Sequence, residues 1–157
     1  MSDPDRFRQS DAIEVRRVSN RGKGGRAVFA KRDLRAGETF ERVPVLLIPK
    51  EQVFGDNPIA RQAGVAISWY VFTWISEKRE YVALSLGYGS IYNHSETPNA
   101  KYQMLLPDIM EFFTLREIKA GEEITISYRG DAEDGPKGLG FEVSETPAEK
   151  SNNADDD

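Results

Sequence analysis

Three stretches of this 157-residue sequence gather residue types that can do chemistry. Gly22–Ala30 reads GKGGRAVFA, and its glycines let backbone N–H and C=O groups approach a ligand closely. Gly87–Ala100 reads GYGSIYNHSETPNA and crowds Asn93, His94, Ser95 and Asn99 into one loop. Gly121–Gly130 reads GEEITISYRG and ends a strand-like run on Tyr128. Each stretch has a plain structural reading. The first matches the dinucleotide fingerprint only loosely, because that fingerprint needs a helix after the glycines and RAVFA reads as a strand. A hairpin turn is the better reading of it alone. The second is an ordinary Asx-rich turn whose side chains satisfy backbone groups. It lacks the acid, histidine and serine order of a hydrolase triad. The third is consistent with core.

The elements that must position these stretches are short strands. Ile13–Val18 alternates apolar and charged residues, the period of a half-buried strand. Arg26–Lys31 predicts a second strand, and Phe40–Ile48 a third, with Pro44 and Pro49 pointing to a sheet edge or a strand end. Residues 50–64 mix turn signals with a short helix. Ile67–Trp74 reads as a buried strand, with a helix left open by pattern alone. Tyr81–Leu86 predicts a strand broken by Gly87-Tyr88-Gly89. Ala100–Leu106 and Ile109–Leu115 flank Pro107-Asp108 as a hairpin, and Ile124–Tyr128 is the last strand. Leu34-Arg35-Ala36-Gly37-Glu38 echoes Ile118-Lys119-Ala120-Gly121-Glu122, which reads as the same good turn used twice, with no structural repeat implied. The expected class is mostly β with little helix.

Composition narrows the chemistry. There is no cysteine and a single histidine, so disulfides, zinc held by cysteine or histidine, and thiol nucleophiles are excluded. No metal is expected, although a site built from carboxylates alone stays open. Net charge is −5, and residues 131–157 carry nine acidic against two basic side chains, so the rest of the chain is near neutral. Nothing in that balance favours binding a phosphate backbone. The start, MSDPDRFRQS, has no apolar signal core, and no run reaches the roughly 18 apolar residues of a membrane helix. A cytoplasmic protein without membrane attachment is expected. Residues 1–11 are expected to be flexible, 12–141 to form one domain, and 142–157 to be a disordered acidic tail.

Taken together and in order, GGRAVFA (24–30), NHSETPN (93–99) and GEEITISY (121–128) resemble the SET-domain protein lysine methyltransferases. The resemblance spans about residues 13–130. The short length looks most like the minimal viral and bacterial members. It implies a fold of small, curved, β-clip-like sheets in which the C-terminal stretch threads a loop as a pseudoknot, placing the Asn-His-Ser segment beside the Tyr128 strand. It implies S-adenosyl-L-methionine as cofactor and a lysine-containing protein substrate, possible targets including histones and other basic proteins, with a homodimer among the expected states.

Carried over residue by residue, the resemblance places Gly24, Gly25 and Arg26 at the cofactor's methionine end, Asn93 in a hydrogen bond to the cofactor, and the His94 backbone at the adenine. Tyr128 is the implied catalytic tyrosine and also borders the cofactor. Tyr102 and Tyr88 join it around the substrate lysine, and Asn99 braces the loop. Ala27 stands where the family often has a second glycine. Phe141 would cover the cofactor if its segment orders there, the alternative being a solvated tail. A lysine amine must be neutral to attack a sulfonium methyl, and an aromatic channel favours the neutral form where a carboxylate would hold the proton. Two further readings remain: a non-catalytic peptide-binding module of the same fold, and an assembly protein using residues 69–74 (WYVFTW) as a subunit interface.

Overall fold

The structure is a computed structural model, and it describes residues 7, 10–18, 25–55, 58, 67–68, 70–76 and 79–128. The flexible start and acidic tail read from the sequence lie outside the described residues, apart from Phe7, Ser10 and Asp11. Nine strands and one short helix run in the order β1 (Ile13–Arg17), β2 (Arg26–Ala30), β3 (Thr39–Pro49), α1 (Lys50–Phe54), β4 (Val71–Ser76), β5 (Arg79–Ser85), β6 (Asn93–His94), β7 (Ala100–Leu105), β8 (Ile109–Thr114) and β9 (Thr125–Ile126) among the described residues. The class is mostly β, as the alternating sequence predicts. No helix among them is long and apolar enough to cross a membrane.

β1 and β2 pair antiparallel from Ile13↔Ala30 to Arg17↔Arg26. Their link closes with Val18 N–H donating to the Gly25 carbonyl at 2.8 Å. Gly25 has φ +69°, and a Cβ there would stand 3.1 Å from the Val18 carbonyl, so only glycine suits the position.

The main sheet has strand order β4-β5-β3-β8-β7. Its centre is the 11-residue β3, which pairs with β8 over Thr39–Pro44 and with β5 over Val45–Pro49. Pro44 is therefore inside a central strand, not at the edge the sequence suggested. It is tolerated because it sits where the partner changes. Its carbonyl accepts from Leu86 N–H, just past the end of β5, so the side on which a donor is missing has no ladder left to complete. The run expected as a strand over 67–74 divides. Tyr70 N–H closes a turn on the Ile67 carbonyl, Ile67 packs against Val53, Val71 and Val82, and the strand starts at Val71. Val71 and Trp74 are buried and the Phe72 ring packs on Phe112, so these residues of the 69–74 stretch serve the protomer's own core rather than an interface.

The Ala-Gly-Glu echo is a structural repeat, contrary to the reading of two unrelated turns. Leu34 and Ile118 exchange both backbone hydrogen bonds, at 2.8 and 3.0 Å. Gly37 N–H donates to Thr114 O, four residues before Ile118, and Gly121 N–H donates to Ala30 O, four residues before Leu34. Each glycine lies at positive φ, 75° and 87°, and each turn carries the same ion pair, Arg32–Glu38 and Arg116–Glu122. The turns are thus related by an approximate two-fold axis through a bridge whose side chains, Leu34 and Ile118, are fully buried. The core continues through Val28, Phe40, Tyr92, Met110, Phe112, Ile124 and Ile126.

Candidate active site

The bridge at Leu34–Ile118 delivers the chain from Gly121 onward under β2. Ile124 N–H donates to Val28 O, and Phe29 and Glu123 form an isolated bridge. The chain then pairs in parallel with the Asn-His-Ser segment, Asn93↔Thr125 and His94↔Ile126. Only Thr125–Ile126 of the expected strand 124–128 pairs, because the chain turns at Tyr128 onto His94. Asn99, 4% exposed, braces this crossing. Its Nδ2 donates to Glu123 O at 2.8 Å, and its Oδ1 accepts from Thr125 N–H at 2.9 Å. Two stretches about thirty residues apart are so held side by side. The threading expected of the C-terminal stretch falls partly on residues 129–157, outside the described residues.

Asn93 is fixed from two sides. Its Nδ2 donates to the Arg26 carbonyl at 3.1 Å and to Glu123 Oε1 at 2.7 Å. Both amide hydrogens are committed, so the amide can meet a ligand only through its acceptor oxygen. These bonds place the β2 start, Gly25-Arg26, beside Asn93. Arg26 Nε is buried and has no hydrogen-bond partner among the described residues, which marks a donor that a ligand could satisfy.

Tyr128 is held at three points. Its N–H donates to His94 Nδ1 at 3.0 Å, its ring lies 5.2 Å from the His94 ring, and its hydroxyl donates to the Tyr92 carbonyl at 2.7 Å. Burial holds the Tyr128 phenol well above the ordinary tyrosine range, and the Glu123 charge pushes it the same way. It is a neutral phenol across the physiological range. With its single proton on the Tyr92 carbonyl, any further hydrogen bond to that oxygen is one it accepts.

The aromatic wall continues inward. Tyr92 is fully buried, 5.0 Å from Phe112. Tyr102 lies 4.8 Å from Phe72 and 6.1 Å from Phe112. Tyr88, on the turn after β5, packs against the same core and donates its N–H to Glu41. Gly25, Arg26, Asn93, His94 and Tyr128 therefore form one neighbourhood, and Tyr102 and Tyr88 border the core that backs it. Gly24 and Phe141 lie outside the described residues. Sequence reasoning passed over Glu123, Tyr92 and Glu41. Glu123 stood inside a motif already singled out, whereas the other two gave no local signal. A shallow cleft of about 490 Å³ lies elsewhere, lined by Lys50, Glu51, Phe54, Gly55 and Glu80, none of them a candidate site residue. Among the described residues no three metal-ligating side chains gather.

The SET domain family model matches residues 25–129, from the β2 glycine to just past Tyr128. The chain belongs to the SET-domain family. Among its relatives is a histone-lysine N-methyltransferase, H3 lysine-37 specific, of Schizosaccharomyces pombe, 33% identical over 119 residues that make up 74% of this chain and 72% of the relative. Among solved structures it is similar to a Plasmodium falciparum chain assigned as a histone methyltransferase, with TM-score 0.55 and 27% identity over 78% of this chain and 95% of that one. CpSET8 from Cryptosporidium shares the fold at TM-score 0.57 and 19% identity, over 76% of this chain and 58% of that one. In this SET domain the motif residues meet through the β6–β9 pairing.

Proposed function

We propose that this chain transfers the methyl group of S-adenosylmethionine to the ε-amine of a lysine in a histone, with Tyr128 as the catalytic tyrosine. The chain is a protein-lysine N-methyltransferase by its SET domain and its curated relative. The substrate, the direct binding of the cofactor and the role of each residue are the proposal. The similarity to the H3-specific enzyme supports a histone target. The single observation that carries the site is Tyr128, neutral and fixed, beside Asn93 and His94.

The residues present fit the cofactor. Its carboxylate suits the buried Arg26 Nε, which has no partner among the described residues, and its ammonium suits the Asn93 oxygen, since both amide hydrogens are committed. Gly25, at φ +69°, lets backbone come close, and the His94 backbone would meet the adenine. When bound, the cofactor supplies an electrophilic methyl on a cationic sulfur.

The protein's share is alignment and electrostatics. The Tyr128 oxygen, with its proton engaged on the Tyr92 carbonyl, turns electron density toward a cation. Being neutral, it does not hold a proton on the attacking amine as a carboxylate would. Tyr102 and Tyr88 are assigned to the walls around the lysine, where aromatic surface disfavours the ammonium form and excludes water. Under this proposal the enzyme acts in the cytoplasm, as a homodimer.

The test is transfer of labelled methyl from S-adenosylmethionine to recombinant histone H3 and to a mixture of basic proteins. Label on lysine, incorporated at least roughly tenfold more slowly in Tyr128→Phe, is the expected result. Cofactor binding by calorimetry without transfer to any lysine would overturn it.

A further inference from the structure

Glu41 is a carboxylate in the core. It is 5% exposed and sits on β3 among apolar neighbours. Pairing shifts between Thr39↔Phe113 and Glu41↔Phe112, a bulge that turns both Phe40 and Glu41 inward. Burying a carboxylate is costly unless its oxygens are satisfied. Here each oxygen has a donor: Oε2 accepts from Tyr88 N–H at 2.9 Å, and Oε1 accepts from the Tyr92 hydroxyl at 3.0 Å. The approach is built in. A Cβ on Gly87 would stand 2.7 Å from Glu41 Oε2 and 2.6 Å from Val43 Cγ1, so glycine alone lets the Gly87-Tyr88 backbone reach the carboxylate.

Both donors belong to the turn that carries the site. Tyr88 opens it and Tyr92 ends it, one residue before Asn93. The Tyr92 carbonyl is the acceptor that orients the Tyr128 hydroxyl at 2.7 Å. Building on the role given to Tyr128 above, we propose that Glu41 is a positioning residue for Tyr128. It clamps the turn at both ends, and through the side chain of Tyr92 it fixes the backbone carbonyl that sets the direction of the Tyr128 O–H. Tyr92 cannot drift without breaking the Glu41 bond, since its ring is also wedged between Phe40 and Phe112 at 6.0 and 5.0 Å. Glu41 itself touches no reacting atom.

A double-mutant cycle tests this, measured as kcat with S-adenosylmethionine and recombinant histone H3. Glu41→Ala is expected to lower kcat by roughly fivefold or more while KM for both substrates moves less than about twofold. Glu41→Gln restores most of kcat. Its carbonyl oxygen can take the Tyr88 N–H and its amide can donate to the Tyr92 hydroxyl, which reverses its role. In a Tyr128→Phe background there is no hydroxyl left to aim, so Glu41→Ala is expected to change kcat by less than about twofold. Equal losses in both backgrounds, or a Glu41→Gln variant as poor as Glu41→Ala, would overturn the proposal. Should Glu41→Ala fail to fold, Tyr92→Phe removes the same link in a milder way and is judged by the same cycle. Carbon-13 NMR of labelled tyrosine ring carbons gives a readout independent of turnover. The Tyr128 signal is expected to shift in Tyr92→Phe and to stay in place in Glu41→Gln, and an unmoved signal in Tyr92→Phe would sink the idea. Loss of all transfer by wild-type enzyme, or an unchanged rate in Tyr128→Phe, would instead count against the function proposed above.

Discussion

His94 and Tyr128 hold one another twice: the imidazole Nδ1 accepts the Tyr128 backbone N–H at 3.0 Å, and the two rings lie 5.2 Å apart. The first contact determines the tautomer. Nδ1 accepts, so the ring hydrogen is on Nε2, which points at Glu96 Oε1 at 3.0 Å. The histidine of the Asn-His-Ser segment thus works through its side chain as an anchor for the tyrosine, besides any use of its backbone.

His94→Ala should leave the Tyr128 N–H without its acceptor in a part-buried site, at a cost of about 1–3 kcal/mol. His94→Asn places an amide oxygen near the position of Nδ1 and should recover more than half of that loss. Thermal melts alongside transfer rates read both. Equal behaviour of the alanine and asparagine variants would show that the accepting nitrogen is unimportant.

Tyr128→Phe should keep the fold and lower the transfer rate at least roughly tenfold, about 1.4 kcal/mol of barrier. Its titration gives a second check. The folded-state phenol is raised by burial, so its contribution to stability is fully present below the ordinary tyrosine value near 10 and is lost as pH rises through the folded one. Melting temperatures from pH 8 to 11 should therefore fall more steeply for wild type than for Tyr128→Phe. The rate should show no decline attributable to Tyr128 below about pH 10.

Much of this site was legible from sequence because its motifs are local. NHSETPN and GEEITISY each name their own residues, and alternation in IEVRR and RAVFA announces the first hairpin. What stayed hidden depends on register. Strict alternation back from the inward Val43 and Val45 places Glu41 inward and Phe40 outward, against their polarity, and only the bulge against Phe112–Phe113 buries both. Pro44 misled for a related reason. A proline bars a continuous ladder, but β3 exchanges one partner for another at that point. Tyr92 gave no sign of its part, since a tyrosine before Asn93 says nothing of a carboxylate fifty-one residues earlier in sequence.

Glu123→Ala should weaken S-adenosylmethionine binding by roughly tenfold, about 1.4 kcal/mol, through Asn93. Removing the 2.7 Å acceptor takes away the shorter of the two Nδ2 bonds, leaving the one to Arg26 O at 3.1 Å, and loosens the direction of the amide oxygen. Glu123→Gln retains an acceptor and should bind nearly as wild type. Calorimetric titration of the cofactor decides between them, and normal affinity in the alanine variant would detach Glu123 from the site.

The paired turns make a symmetric prediction. Gly37 and Gly121 lie at φ 75° and 87° with open space where a Cβ would go, so replacement by alanine costs backbone strain and no clash. Each variant should lose about 1–2 kcal/mol, with the two values alike. Denaturant unfolding measures both, and a marked inequality would mean the two turns are not equivalent in energy.

Glu41 supplies a pH test of its burial. Desolvation raises its carboxyl above the ordinary glutamate value, against the opposing hydrogen bonds from Tyr88 and Tyr92. The folded protein then retains a proton that the unfolded chain releases, so this residue's contribution to stability is complete below the unfolded value and declines as pH rises through the folded one. Glu41→Gln removes that titration while keeping a polar group that both donors can use. The variant's melting temperature should therefore gain on wild type between pH 4 and pH 7. A constant difference over that range would mean the carboxyl titrates alike in both states, and that the two hydrogen bonds fully offset its removal from water.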